Sequence, residues 1–412
     1  MPDQVRHDAV GVFSYQSNHD EDGMFAKKNE KINPLPYPVY FSGILFLAFA
    51  GLAISIYLSI SHFRVYTDLG YKSFCAISKA INCDTVSQSP YAIFAGVPLP
   101  VWGCLAYTIF IFLTIVQIWT GSRTRLWPLL FLAALLFSLH SIVLALISTI
   151  YIKSYCLMCI LDYAVNFGLL FMVWIIRKRF DTESLFEGVL KDWAFISARK
   201  AALCTGLTVV LAVTLSLVVF FPAYWTYSMP AQNETTKTGV TKEGFPWIGS
   251  ENPRIVIEEF TDYKCFQCKK MHFFLRQLID QYPDKIQLVH RHFPMDHVVN
   301  PIVKEPFHEG SGALALLSIY AKKKNRFWEF NDMLFDKVAS ETQFETKEMA
   351  ESFGFDPQAF AMSLNSKESR IALNRDIIDG LKLGITGTPA YQIDGHVYQG
   401  YIPPEVIKKI ME

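Results

Sequence analysis

Six of the eight cysteines in this chain fall into three close pairs: Cys75 with Cys83, Cys156 with Cys159, and Cys265 with Cys268. Two of the pairs are C-x-x-C, a spacing that lets a dithiol close into a small, reducible disulfide ring. One pair lies in a polar loop, one at the mouth of an apolar helix, and one in a soluble region. Thiol–disulfide exchange hands on two electrons at a time, so three dithiols in neighbouring settings imply a relay. Cys104 and Cys204 stand alone in apolar runs and read as packing residues. A zinc site at Cys265 and Cys268 would need two more soluble ligands, so no metal is expected.

The elements that must position these sulfurs follow from composition. The chain has 412 residues, of which 51% are apolar, and its formal net charge is zero. That length suggests two or three domains, and the charge gives nucleic acid nothing to bind. Spanning a bilayer takes about 20 apolar residues as helix. Five runs qualify, at 39–61, 99–119, 126–150, 156–176 and 201–225, which makes membrane lipid a partner. Residues 1–37 are polar and mixed in charge, without a secretory signal; they read as a cytoplasmic tail.

Positive charge sets the orientation. Arg6, Lys27, Lys28 and Lys31 precede the first span, Arg123 and Arg125 follow the second, and Arg177, Lys178, Arg179, Lys191, Arg199 and Lys200 lie between the fourth and fifth. These segments share one side, expected to be cytoplasmic. All three cysteine pairs then open to the outer face, where disulfides persist.

After the fifth span, SMPAQNETTKTGVTKEG is polar and aperiodic, and reads as a flexible linker over 226–245. About 20 such residues reach roughly 25 Å. Asn233 opens a glycosylation sequon. Beyond it, RIVIEEFT predicts a strand, CFQCKKMHFFLRQLIDQY an amphipathic helix, and IQLVHRHF a second strand. A helical stretch follows over about 306–381, then a hairpin around Asp394-Gly395 and a closing helix in PPEVIKKIM. Strand, C-x-x-C helix, strand, helical insertion, hairpin and helix is the thioredoxin layout. Cys265 at its helix start would be the thiolate-prone, exchanging sulfur, and Cys268 the resolving one.

Residues 246–412 resemble the DsbA-type branch of the thioredoxin superfamily, on FTDYKCFQC, HRHFPMD, RFWEFNDMLF and GITGTPAY together. The resemblance implies a cis-proline at Pro389, beside the active site, that aligns a substrate strand. The dipeptide between the cysteines is Phe266-Gln267, where strongly oxidising members often carry proline and histidine.

The segment SFCAISKAINCDTVSQSPYAIFAGVPLPVWG and the later SYCLMCILDY resemble the vitamin K epoxide reductase family. That likeness implies a four-helix membrane domain over 38–180. It also implies Cys75 and Cys83 as a shuttle pair, Cys156 and Cys159 as the active pair, Ser89 as the family serine, and Tyr163 as a hydrogen-bond donor to a quinone carbonyl. The asparagine that animal members place on helix 2 is replaced by Leu99. Residues 181–225 form the connection and fifth span. Cys159, one turn into an apolar helix, is out of reach of an aqueous substrate but open to a membrane-soluble oxidant; ubiquinone or menaquinone fits. Asp162 lies inside the same helix, where an ionisable group is costly. It is expected either to move protons or to be a structural carboxyl paired with His140.

The fold class expected is thus an α-helical transmembrane bundle, a four-helix core plus a fifth helix, followed by an α/β thioredoxin-like domain with a helical insertion. The expected function is quinone-dependent disulfide formation in exported, cysteine-containing proteins, at a bacterial inner membrane. Electrons pass from Cys265/Cys268 through Cys75/Cys83, with freed Cys83 attacking Cys156, to Cys156/Cys159. The alternatives are a reductase or isomerase sending electrons outward, a non-enzymatic receptor, and a true epoxide reductase.

Overall fold

The computed structural model describes residues 35–77, 80–119, 125–180, 183–227, 236–337 and 345–411. The basic tail, Arg123 and Asn233 lie outside these residues. Five helices are long and apolar enough to cross a membrane: α1 (Tyr37–Thr67), α3 (Leu99–Trp119), α4 (Trp127–Ile147), α5 (Leu157–Phe180) and α7 (Lys200–Phe220). A short helix α2 (Cys83–Ser87) and a hairpin of β1 (Ile93–Phe94) and β2 (Val97–Pro98) lie between the first two spans.

The first four spans form one bundle. Its core joins Ile44 and Ala48 of α1, Tyr107 and Phe110 of α3, Leu130 and Ala134 of α4, and Leu169 and Val173 of α5. Small residues let the helices close up: a Cβ at Gly51 would overlap the ring of Tyr107. α1 has 31 residues, so at about 1.5 Å each it is about 46 Å long. That exceeds a bilayer core of about 30 Å.

Between the fourth and fifth spans the chain folds an amphipathic helix that the sequence reading lacks, α6 (Leu185–Ser197). Ser184 caps it by accepting from the Glu187 amide, and buried Asp192 accepts from the Leu126 amide at 2.9 Å, clasping α6 to the start of α4. No residue of α7 is buried. The helix of the fifth span stops at Phe220, short of the expected 225, and the chain then turns so that Tyr224 packs on His62 of α1.

The soluble region carries a six-stranded sheet in the order β3-β4-β6-β5-β7-β8. The strands are β3 (Lys237–Val240), β4 (Pro246–Gly249), β5 (Ile255–Thr261), β6 (Ile286–His292), β7 (Ala390–Ile393) and β8 (His396–Gln399). β5 and β6 run parallel, joined by α8 (Phe266–Gln281), and the other neighbours are antiparallel. Asp394 and Gly395 both have positive φ, 49° and 79°, as a two-residue hairpin turn requires. The insertion comprises α9 (Ser311–Lys323), α10 (Phe327–Lys337), α11 (Thr346–Ser352), α12 (Pro357–Met362) and α13 (Lys367–Lys382), and α14 (Pro404–Met411) closes the fold.

One expectation is corrected here. Residues 237–240 are not linker but an edge strand, held by its backbone pairing to β4. Its residues are mostly exposed, so no hydrophobic alternation marks it in the sequence. Residues 228–235 of the expected linker lie outside the described residues.

Candidate functional site

Three sulfur pairs are arranged on two bodies. Cys75 and Cys83 are joined in a disulfide, whereas Cys156, Cys159, Cys265 and Cys268 are free thiols. The loop disulfide is brought to α5 by backbone pairing. The Asn82 amide donates to Tyr155 O at 2.9 Å, and the Tyr155 amide donates to Ala80 O at 2.8 Å. These bonds fasten the residue before Cys83 to the residue before Cys156. Asn82 also caps α2, its side-chain oxygen accepting from the amides of Asp84 and Thr85. Cys75, Cys83 and Cys156 consequently form one buried cluster, with Cys159 and Leu58 packed against it.

Cys156 sits at the head of α5, where the Cys159 amide donates to its Sγ at 3.2 Å. Beneath lies a cavity of about 660 Å³, lined by Cys83, Cys156 and Cys159 and by apolar side chains such as Leu58, Leu99 and Leu136. Tyr163, Ser89 and Asp162 all line it. The Ser89 hydroxyl donates to Val86 O at 2.8 Å. Pockets for small organic ligands have this character: a few hundred cubic ångströms, mostly apolar, with a few convergent polar groups.

Asp162 is not paired with His140. Its Oδ1 lies 2.8 Å from the Tyr107 hydroxyl and its Oδ2 3.3 Å from the amide nitrogen of Asn166. The same Tyr107 hydroxyl is 2.7 Å from the Asn166 side-chain oxygen. Asn166 in turn donates to Ser141 at 3.0 Å. His140 shares the cavity wall without this contact. Tyr107 and Asn166 are the polar residues that sequence reasoning missed. Asn166 lies one turn beyond Asp162 in α5, a spacing that could have pointed to it.

In the soluble domain Cys265 is the N-cap of α8, its Sγ accepting from the Cys268 amide at 3.4 Å. Its thiol faces Thr388 O at 3.5 Å, and the Thr388–Pro389 bond is cis. A hydrogen bond from the Cys268 side chain, with help from the nearby charge of His308, brings the Cys265 thiol down to about 7 against the effect of burial. Burial pushes Cys268 in the opposite direction, well above the ordinary thiol range. The pair is thus split into a thiolate-forming sulfur and a protonated partner.

The two bodies meet through the C-x-x-C turn itself. Phe266 packs edge-on to Tyr66 near the end of α1, with ring centres 5.0 Å apart. The Gln267 amide donates to Leu69 O at 2.6 Å. Lys270, one turn further along α8, is buried and donates to Val65 O at 3.0 Å and Asp68 O at 2.8 Å. These are carbonyls at the C-terminal end of α1, which lack partners within the helix and attract a cation.

Comparison with known proteins agrees with both halves. The model of the vitamin K epoxide reductase family matches residues 43–174, and a thioredoxin model matches residues 241–412. Vitamin K epoxide reductase complex subunit 1 of Mus musculus is 30% identical over 144 residues, covering 31% of this chain and 84% of that protein. Disulfide bond formation protein D of Bacillus subtilis is 26% identical over 179 residues, 41% of this chain and 77% of that protein. Among solved structures, α-DsbA1 of Wolbachia pipientis matches 42% of this chain and 92% of its own, at 21% identity and a TM-score of 0.34.

Proposed function

The chain belongs to the vitamin K epoxide reductase family, as a multi-pass membrane thiol–disulfide oxidoreductase with a thioredoxin-fold domain fused behind its bundle, and from that premise we propose that it forms disulfides in exported proteins and sends the electrons inward to a quinone. One observation carries this reading: the Cys75–Cys83 disulfide is packed on Cys156 at the head of an apolar cavity.

Each exchange breaks one S–S bond and makes another. A substrate thiolate attacks the Cys265–Cys268 disulfide, and the substrate leaves with a new disulfide after losing two electrons and two protons. Cys268, the more basic sulfur, takes a proton, and Cys265 keeps the charge. Cys265 then attacks the loop disulfide at Cys75, Cys83 leaves, and Cys268 displaces Cys75 to restore its own bond with Cys265. Cys83 exchanges with a Cys156–Cys159 disulfide, and Cys75 closes back on Cys83. The two electrons now rest on the Cys156/Cys159 dithiol.

The cavity fits a flat apolar ligand with two carbonyls, and Tyr163, Ser89 and Asp162 are the residues proposed to hold it. A bound quinone supplies a two-electron, two-proton acceptor. The chain's part is to orient and to move protons. Tyr163 can donate its phenol proton in a hydrogen bond. The Tyr107 hydroxyl has one proton for two acceptors, Asp162 Oδ1 and Asn166 Oδ1. A second proton on Asp162 would satisfy both contacts, so this carboxyl has a built place to take the proton released as Cys156 and Cys159 reclose. Inward flow is the direction that a quinone acceptor at the end of the relay would drive. A bacterial inner membrane, with the thioredoxin domain on the periplasmic side, is the location this reading requires.

The test is purified protein and a reduced peptide with two thiols. Peptide oxidation should proceed over many turnovers only when ubiquinone or menaquinone is supplied. A Cys268→Ala variant should accumulate a mixed disulfide between Cys265 and Cys75 or Cys83. Failure to form any such adduct would break the relay order.

A further inference from the structure

The C-x-x-C turn of this chain has no cation between its cysteines; Phe266 and Gln267 stand there. Cys265 is nevertheless an acidic thiol. The structure brings a charge from elsewhere in the fold. His308, in the segment between β6 and α9, has its Nδ1 3.0 Å from Oδ2 of Asp262. Asp262 is three residues before Cys265, and its side chain is wholly buried. Its carboxylate also accepts from the amides of Lys264 at 2.7 Å and Met295 at 2.6 Å, and from the Ser311 hydroxyl at 3.0 Å. Its backbone reaches the cysteines directly: Asp262 O accepts from the Cys265 amide at 3.1 Å, and the Asp262 amide lies 3.5 Å from Cys268 Sγ. One residue therefore fastens the imidazole to the turn that carries both sulfurs.

The loop around His308 is held as firmly. His308 adopts a φ of 40°, rare for a residue with a side chain, and its ring stacks on Phe307 with centres 4.0 Å apart. Lys264 Nζ donates to Glu309 O at 2.6 Å, and the amides of Gly310 and Gly312 donate to Asp296 Oδ2. With Nδ1 given to Asp262, the imidazole has Nε2 left for a second proton. Burial works against that charge, but the Asp262 carboxylate outweighs it and raises His308 above the usual histidine range, and Cys265 and His308 are near enough to favour each other's ionised form. The other charges on the pair are Asp262, which disfavours the Cys265 thiolate, Lys264, which disfavours the imidazolium, and Lys270, whose ammonium senses Cys265.

We propose that His308 is the cation that stabilises the Cys265 thiolate, that Asp262 is its positioning residue, and that the two take the place of the histidine that strongly oxidising relatives carry between their cysteines. The inference rests on Cys265 being the exchanging sulfur. Reduction of the Cys265–Cys268 bond adds two electrons; Cys268 takes a proton and Cys265 keeps a negative charge beside the imidazolium. Stabilising that charge favours the reduced form, so the pair becomes a stronger oxidant.

The full-length protein with its other six cysteines changed to alanine isolates the pair. Iodoacetamide alkylation of reduced Cys265 should reach half its maximal rate near pH 7. In His308→Gln the midpoint should rise by about one unit, and the equilibrium constant for oxidising glutathione should fall about twofold at pH 7 and roughly tenfold near pH 9, the latter equivalent to about 30 mV for a two-electron couple. Asp262→Asn should lower the titration midpoint of His308, read from its imidazole NMR shift, and His308→Lys should restore both values lost in His308→Gln. An unchanged midpoint in folded His308→Gln, or a folded His308→Lys that restores nothing, would overturn the role of the charge. Should the parent protein show no reactive thiol below pH 8, it is the assignment of Cys265 itself that fails.

Discussion

The phenol of Tyr107 meets a carboxyl and an amide, Asp162 and Asn166, in the wall of an apolar cavity. A carboxyl in a membrane span stands out in any sequence, because its burial is costly; Asp162 is therefore legible from the sequence as a candidate. Its partner is not. Tyr107 is 55 residues away in another helix, and nothing in either segment fixes how α3 and α5 face each other. His140, the partner expected from the sequence, shares the cavity but not the contact. The cysteines were legible for the opposite reason: their spacing is local, and a helix start converts it directly into geometry. His308 was invisible, being a lone histidine in an irregular segment. At this scale the proposed proton role of Asp162 has a direct test. Asp162→Asn preserves shape and hydrogen bonds but cannot take a proton. Turnover with quinone should fall by roughly 10²-fold, within the range for lost acid–base help. Oxidation of the peptide by Cys265–Cys268 in a single turnover should be unaffected.

Helices and strands show which lengths and patterns could be read. The five spans announce themselves because about 20 apolar residues admit few other uses. α6 and β3 do not: α6 hides among the charges of the connection between the fourth and fifth spans, and β3 is an exposed edge strand whose partner supplies its pairing. Two contacts between elements carry predictions. Gly51 of α1 is where α3 comes closest, with the Tyr107 ring against the space a Cβ would fill. Gly51→Ala should cost about 2 kcal/mol of overpacking, seen as a lower melting temperature in detergent, and should displace Tyr107 from Asp162. Lys270 of α8 donates to two carbonyls at the end of α1. Lys270→Met should slow transfer from reduced Cys265 to the loop disulfide by roughly tenfold, as expected for a lost charge-assisted hydrogen bond. Quenched single-turnover trapping would measure this, with peptide oxidation as the unaffected reference.

Taken whole, the molecule is a bundle with a soluble partner attached by one exposed helix. α7 buries no residue against the bundle, so the attachment depends on the chain itself and on the docking contacts. A tether converts exchange between two bodies into an intramolecular event, at an effective concentration of roughly millimolar for a short flexible connection. Cutting the chain at a protease site inserted within residues 228–235 should make that exchange second order. At micromolar protein, reoxidation of Cys265/Cys268 should slow by roughly 10²-fold or more and should recover when the released domain is added in excess.

Phe266, Gln267 and Lys270 lie on the same turn and helix as the exchanging sulfur, and all three are engaged with the end of α1. A polypeptide that reaches Cys265 over this face would compete with the membrane domain for it. A crowd of unfinished clients would hold the module away from its recharging station, so throughput plotted against client concentration should climb, crest and then decline.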